Sequence, residues 1–103
     1  MKGKSETTLP VSEELLLKAE RLKAVGSPMK LKILFLLRKE GKVRVKDIIE
    51  ELGENQSKIS QHLRDLRFSK LVNRKRKRNE AFYSPTETAL EILKCVEKIL
   101  PKL

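Results

Sequence analysis

One segment of the chain carries most of its positive charge and could bind a polyanion. Between Ser57 and Arg78 there are nine lysines and arginines and a single acid, Asp65, so this segment holds +8 of the net charge of +10. Five consecutive basic residues, Arg74 to Arg78, end it. Phosphates attract such a patch because each neutralised phosphate releases condensed counterions, and the binding weakens with salt. A charge run is usually solvated surface, but its place after a polar helix favours a contact with double-stranded DNA.

Helical spacing sorts the first half of this segment into two faces. Ile59, Leu63 and Leu66 recur at helical intervals and should face the core. Gly53 and Asn55 stand where a left-handed turn residue and an N-cap are needed, so a tight turn joins this helix to the preceding one. This is the helix-turn-helix pattern. The outward face carries side chains that could reach base edges: Ser57, Lys58, Ser60, Gln61 and Arg64.

The elements that must position this helix follow from apolar spacing and from terminating residues. We predict helices over 12–25, 28–40 and 46–52, with a short strand around Arg44. After the polar helix, 71–75 and 81–84 should form a hairpin with a basic tip at 76–80. Ser84 or Thr86 can then cap a last helix. The predicted fold is mainly α with a small β-hairpin, a winged helix-turn-helix of about five helices and a two- or three-stranded wing.

Length and composition predict one domain. The 103 residues suffice for a single compact unit, which we place at 11–103, after a mobile basic N-terminal arm at 1–10 that includes Lys2 and Lys4. No apolar run approaches the roughly 18 residues of a membrane span, and the arm lacks the apolar centre of a secretory signal. We therefore expect a cytoplasmic protein with no membrane partner.

Apolar positions on the first and last helices predict a homodimer. On the last helix, a terminal dimerisation helix over 86–101, apolar residues alternate at spacings of three and four, which is a heptad seam. The seam could pack internally against the first helix, but a protein this small with two apolar terminal helices more often dimerises. The predicted interface consists of Leu15, Ala19, Leu22, Ala89, Ile92, Val96 and Ile99, and the seam continues to Leu103.

Residue types that bind metals or catalyse reactions are scarce. Cys95 and His62 are the only cysteine and histidine, too few for a site of three or four soft or borderline ligands, so we expect no metal or cofactor. Cys95 is interpreted as a small buried apolar group, or as a redox or metal switch if two copies meet across a dimer axis. His62 either packs half-buried or contacts phosphate. No paired acids, activated nucleophile or phosphate-binding glycine loop indicates an enzyme.

Two stretches, LKAVGSPMKLKILFLL and NQSKISQHLRDLRFSKLV, resemble the ArsR family of winged helix-turn-helix repressors, and the match covers most of residues 16–84. Residues 56–63 stand where the family typically has Gln-Ser-x-Val-Ser-x-His-Leu. The metal-sensing Cys-x-Cys and terminal-helix histidines of many members are missing, and residues 82–87 look as much like MarR- or PadR-type proteins. The resemblance implies a repressor dimerising through its first and last helices, with DNA contacts from Gln56, Ser57, Ser60, Gln61 and His62.

The combined expectation is a sequence-specific transcription regulator, a homodimeric repressor that sterically occludes a palindromic operator. The wing would lay its basic residues along the flanking minor groove, with contacts from Lys75, Arg76, Lys77 and Arg78. The alternative is a non-specific architectural DNA- or RNA-binding protein, in which the same patch contacts only phosphates.

Overall fold

The computed structural model describes residues 11–100, which form five helices and a three-stranded antiparallel sheet. This arrangement is the predicted winged helix-turn-helix. The N-terminal arm, residue 101 of the predicted last helix and Leu103 lie outside the described residues. In chain order the elements are α1 (Glu13–Val25), α2 (Pro28–Glu40), β1 (Val43–Arg44), α3 (Val45–Leu52), α4 (Gln56–Phe68), β2 (Val72–Lys77), β3 (Glu80–Pro85) and α5 (Glu87–Ile99).

Side-chain caps fix where four of these helices begin. Ser12, Ser27, Asn55 and Thr86 each accept a hydrogen bond from a backbone N–H three residues on, at 2.9 to 3.2 Å. Such caps satisfy backbone donors that the first turn of a helix leaves without partners. Thr86 is thus the cap of α5, and its hydroxyl also donates to the Lys70 carbonyl at 2.9 Å. This second bond ties the start of α5 to the chain that leaves α4.

The sheet has the strand order β1-β3-β2, and Val72 of β2 and Tyr83 of β3 are buried, so the hairpin also packs directly against the helical core. Its turn contains only Arg78 and Asn79, with φ of 53° and 71°. Two positive φ values are typical of the type I′ turn, whose twist matches that of the flanking strands. The predicted five-residue tip was therefore too long, because Arg76 and Lys77 pair with β3 inside the ladder.

The core includes Ile33, Leu34 and Leu37 of α2, and α5 joins it by a different face from the one expected. Ala89 and Leu93 of α5 are fully buried in the chain's own core. The assignment of Ala89 to a dimer interface was therefore wrong. Residues 89 and 93 are one helical turn apart, so they form the inward stripe of α5. Ile92 flanks this stripe and is partly buried against the core, while Ile99 of the predicted seam is largely exposed.

We predict opposite effects for alanine at two turn glycines. Gly53 has φ of 65°, so Gly53→Ala should lower the free energy of unfolding by about 1 kcal/mol. Gly26 has φ of −83° with room for a methyl group, so Gly26→Ala should raise it by about 0.5 kcal/mol through a less flexible unfolded chain. Urea unfolding of both variants measures the difference, and shifts of the same sign would contradict the turn geometry.

Candidate nucleic-acid interface

The polar face of α4 is exposed because its apolar face is buried. Ile59, Leu63 and Leu66 are at most 1% exposed, as the helical spacing predicted. At the start of the helix, Gly53 adopts the left-handed conformation and Asn55 accepts from the backbone N–H of residue 58. Among the predicted base-reading residues, Ser60 and His62 are half-buried. The others are exposed: Gln56, Ser57, Lys58, Gln61 and Arg64.

Two of these exposed side chains are joined in a hydrogen-bonded chain that reaches the core helix. Arg64 Nη1 donates to Gln61 Oε1 at 2.6 Å, and Gln61 Nε2 donates to Asp65 Oδ1 at 3.0 Å. The other Asp65 oxygen lies 3.1 Å from Nζ of Lys30 on α2. Asp65 and Lys30 were not among the predicted site residues. The available signal was Asp65 itself, the single acid of the basic segment, one turn after Gln61.

The environment of Asp65 keeps it ionised. Burial favours the neutral acid, but the hydrogen bond and charge of Lys30, the bond from Gln61 and the charge of His62 outweigh it, and the pKa of Asp65 falls below its usual 3.8. At neutral pH both carboxylate oxygens are therefore acceptors, as the contacts to Gln61 and Lys30 require.

His62 has one edge inside the protein. Its Nδ1 is buried and meets no hydrogen-bond partner within residues 11–100. The ring is half-buried overall, which fits the packing alternative for at least that edge. A phosphate contact from the remaining edge stays a prediction.

The wing is basic on both faces. Cross-strand partners share a face, so Arg74 opposite Tyr83 and Arg76 opposite Ala81 lie on the side that meets the core. Lys75, opposite Phe82, and Lys77, opposite Glu80, lie on the other side. Alternation along β2 thus divides the basic run between two surfaces.

Residues from outside the hairpin add to its charge pattern. The ammonium of Lys42, in the segment before β1, lies 5.9 Å from the centre of the Phe82 ring, on the same side as Lys75. Arg44 of β1 lies 3.5 Å from Glu80, the one acid within the hairpin, and 3.1 Å from Asp47 of α3, so its guanidinium is shared between two carboxylates. Lys42 was not predicted as a site residue, because only strand pairing brings it to the wing.

The predicted dimer residues other than Ala89 keep part or most of their surface exposed on α1 and α5. Leu22 and Ile99 are more than 70% exposed. Ile92 and Val96 are half-buried and, with these two, line an open apolar groove of about 670 Å³ between the helices. Cys95 also lines it and is exposed, so its prediction as a buried group was wrong. It projects from the outer side of α5, away from the buried Leu93 stripe. Leu15 and Ala19 are exposed on α1.

Over residues 11–100, histidine, cysteine and acidic side chains nowhere gather in a group of three that could hold a metal ion. Within the same range, every helix is too short or too polar to span a membrane.

Comparison with known proteins identifies relatives over most of the chain. The family model described as bacterial regulatory protein, arsR family, matches residues 27–74. An HTH-type transcriptional regulator of Methanocaldococcus jannaschii is 37% identical over 82 residues, which cover 79% of this chain and 92% of the relative. The transcriptional repressor PagR of Bacillus anthracis is 39% identical over 82 residues, 79% of this chain and 82% of PagR.

Solved structures match the whole architecture. The crystal structure of PagR aligns with a TM-score of 0.69 at 37% identity, covering 81% of this chain and 95% of that one. The crystal structure of NolR from Sinorhizobium fredii aligns with a TM-score of 0.76 at 31% identity, covering 93% of this chain and all of that one. The sequence and structural similarities therefore cover both the helix-turn-helix and the wing.

We predict an acid dependence of stability that Asp65 controls. Because its pKa is lowered by folding, Asp65 stabilises the protein fully above the unfolded pKa of about 3.9, and this contribution is lost as pH falls through the lower folded pKa. The difference in unfolding free energy between the native protein and Asp65→Asn should be constant from about pH 7 to pH 5 and shrink below. Solvent screens this pair, so we expect at most about 1 kcal/mol.

Urea unfolding at several pH values measures that difference. Other carboxylates titrate in both proteins, so their contributions to the unfolding free energy cancel in the comparison. Glu97 is one of them, and a hydrogen bond from Arg38 lowers its pKa. A difference that stays constant down to about pH 3 would contradict the role assigned to Asp65.

Proposed function

Because the chain belongs to the ArsR family of winged helix-turn-helix transcription regulators, we propose that it is a homodimeric repressor of a palindromic operator in double-stranded DNA. The observation that carries the proposal is the exposed polar face of α4 beside a wing that is basic on both faces. The relative PagR is itself named a transcriptional repressor, and that name supports repression as the outcome here.

In the proposed complex, α4 enters the major groove, which is about 12 Å wide and admits a helix. The residues that lead into the groove are Gln56, Ser57 and Lys58, at the capped start of the helix. Gln61 and Arg64 follow on the same face. Glutamine can pair with adenine and arginine with guanine through two hydrogen bonds each, so these two side chains carry the base preference.

The wing contributes charge and position in this proposal. Arg78 lies in the two-residue turn, with Arg76 and Lys77 directly before it on opposite faces of β2. A narrow hairpin with basic groups on both sides can contact the phosphates that flank a minor groove on either strand. Narrow A·T-rich minor grooves attract such groups most strongly, so the operator should be A·T-rich outside the bases that α4 reads.

The dimer follows from the apolar groove between α1 and α5. A single chain leaves Leu22 and Ile99 largely in water, although each would stabilise an assembly by roughly 1.5 to 3 kcal/mol if fully buried. A second copy, related by a two-fold axis, would cover both grooves at once. The two α4 helices would then meet successive major grooves about 34 Å apart, which explains the expected palindrome.

Repression in this proposal is steric. With the proposed DNA-contact face on α4 and the wing, a dimer bound over a promoter would prevent other proteins from reaching the same DNA. No small-molecule effector is required for that step, so affinity and specificity alone set the degree of repression.

Selection of bound fragments from a random double-stranded DNA pool tests the function directly. We expect recovery of an inverted repeat with half-sites about one helical turn apart. The affinity for that repeat should exceed the affinity for random DNA by at least about a thousandfold. Recovery of sequences without a shared motif would instead favour the non-specific architectural protein.

We predict that α4 and wing variants will differ in sequence dependence. Gln61→Ala should weaken binding to the selected site by about 1 to 3 kcal/mol more than binding to random DNA, because it loses a base contact. Lys77→Ala should weaken binding to the selected site and to random DNA alike, because it loses a phosphate contact. The slope of log affinity against log salt concentration should become shallower by about one. Titrations at several salt concentrations measure both quantities, and each variant is the other's control.

We predict that a charge in the groove will separate the dimer. Val96→Glu would place a carboxylate in a groove whose surface is almost entirely apolar, and it should give a monomer with poor affinity for the inverted repeat. Lys94→Glu, on the exposed side of the same helix, should leave the dimer intact. Light scattering at micromolar concentration measures the mass. A monomeric native protein would contradict the dimer, as would a dimeric Val96→Glu.

A further inference from the structure

Asp65 is the single acid within the basic segment that carries the proposed DNA contacts, and it is hydrogen-bonded to one of the proposed base-reading side chains. We propose that Asp65 is a positioning residue for base readout: it holds the side-chain amide of Gln61 in one orientation, and Gln61 in turn holds Arg64. The inference rests on the proposed function, since it assigns a specificity-determining role within the same α4 face. Asp65 itself need not touch DNA.

The hydrogen bonds fix which way the Gln61 amide points. Its NH₂ group donates to Asp65 Oδ1 at 3.0 Å, and its carbonyl oxygen accepts from Arg64 Nη1 at 2.6 Å. A flipped amide would set its oxygen against the carboxylate and its NH₂ group against the guanidinium, which has donors only. Both contacts would then be repulsive, so one of the two amide orientations is strongly favoured.

Lys30 anchors this arrangement to the core. Its side chain is only 14% exposed, and its ammonium lies 3.1 Å from the second oxygen of Asp65. Lys30 is in the first turn of α2, where its backbone N–H donates to the Ser27 cap. The carboxylate is therefore held between the recognition helix and the central helix, and the fixed amide is supported by an element that does not contact DNA.

The fixed amide still has groups available for a base. Among residues 11–100 its second N–H and the second lone pair of its oxygen have no partner, and these are the donor and the acceptor that the adenine edge requires. Arg64 likewise retains donors for guanine. A side chain that is already oriented loses less conformational freedom on binding, so the arrangement favours the matching base.

Electrostatics alone makes the opposite prediction for Asp65. A carboxylate close to phosphates weakens binding to every sequence, so a neutral residue there should strengthen all complexes alike. If Asp65 positions Gln61, removing it must lower affinity for the preferred site relative to random DNA, even though a repulsive charge has gone. A fall in this ratio supports the positioning role, whereas an unchanged ratio is what electrostatics alone predicts.

The test compares Asp65→Ala with Asp65→Asn in titrations on the selected site and on random DNA. Both variants lose the charge, but asparagine keeps an oxygen that can accept from Gln61. We expect the ratio of specific to random affinity to fall about tenfold in Asp65→Ala, equivalent to about 1.4 kcal/mol, and to fall by less than about threefold in Asp65→Asn. Equal ratios for the two variants, or an unchanged ratio in Asp65→Ala, would overturn the proposal.

Two further variants show whether the effect passes through Gln61. In a Gln61→Ala background, Asp65→Ala should change the ratio little, because there is no amide left to position. Glu97→Gln removes one negative charge from a similar ion pair between α2 and α5, and it should leave the ratio unchanged. A tenfold fall of the ratio on adding Asp65→Ala to Gln61→Ala would overturn the proposal, because Asp65 would then act independently of the amide. A tenfold fall in Glu97→Gln would overturn it too, because the effect would then be a general one of charge.

Partial unfolding does not mimic the expected result, because the ratio of two affinities measured on one preparation cancels the inactive fraction. Failure of the proposed function looks different from failure of this inference. If native protein shows no preference for any DNA sequence, the regulator proposal itself fails. If it shows a preference that Asp65→Ala leaves intact, only the positioning role fails.

Discussion

Burial of one side of α4 is the constraint on which the rest of the interface depends. Ile59, Leu63 and Leu66 are enclosed by the core, and truncating a buried leucine or isoleucine to alanine typically costs about 2 to 5 kcal/mol. Rotating α4 about its axis would expose this stripe, so the helix has one stable orientation. Because helical side chains at other positions then point outward, the same apolar burial that stabilises the protein also determines which polar residues can meet DNA.

The ion pairs of this protein do more to fix the positions of its acidic side chains than to stabilise the fold. The pairs of Asp65 with Lys30, Glu80 with Arg44 and Glu97 with Arg38 are partly or largely exposed, and solvent screens such pairs so that they add little to stability. Their effect is to attach acids to particular basic partners. The acid of the wing, Glu80, lies opposite Lys77 and is paired with Arg44, and the only acid of the α4 segment is held against α2.

Local sequence signals predicted the helices, their caps and the buried stripe of α4, because each depends on neighbours a few residues away. The errors lie where distant parts of the chain decide the outcome. The heptad pattern fitted Ala89 as well as its neighbours, and only packing against α2 shows that Ala89 and Leu93 face inward. Likewise, Lys30 meets Asp65 and Lys42 meets Phe82 only after the helices and strands have assembled. Spacing along the chain carries no signal for such contacts.

The central helix α2 connects the two surfaces on which a dimeric regulator would depend. Near its start, Lys30 binds Asp65 of the recognition helix, and near its end Arg38 binds Glu97 of α5 through two hydrogen bonds of 2.8 and 3.0 Å. These residues are separated by about 12 Å along the axis, at about 1.5 Å per residue. A helix with a buried face transmits displacement as a rigid body rather than absorbing it. In the proposed dimer, the spacing of the two recognition helices would therefore follow from how α5 meets its partner, with α2 as the fixed link between them.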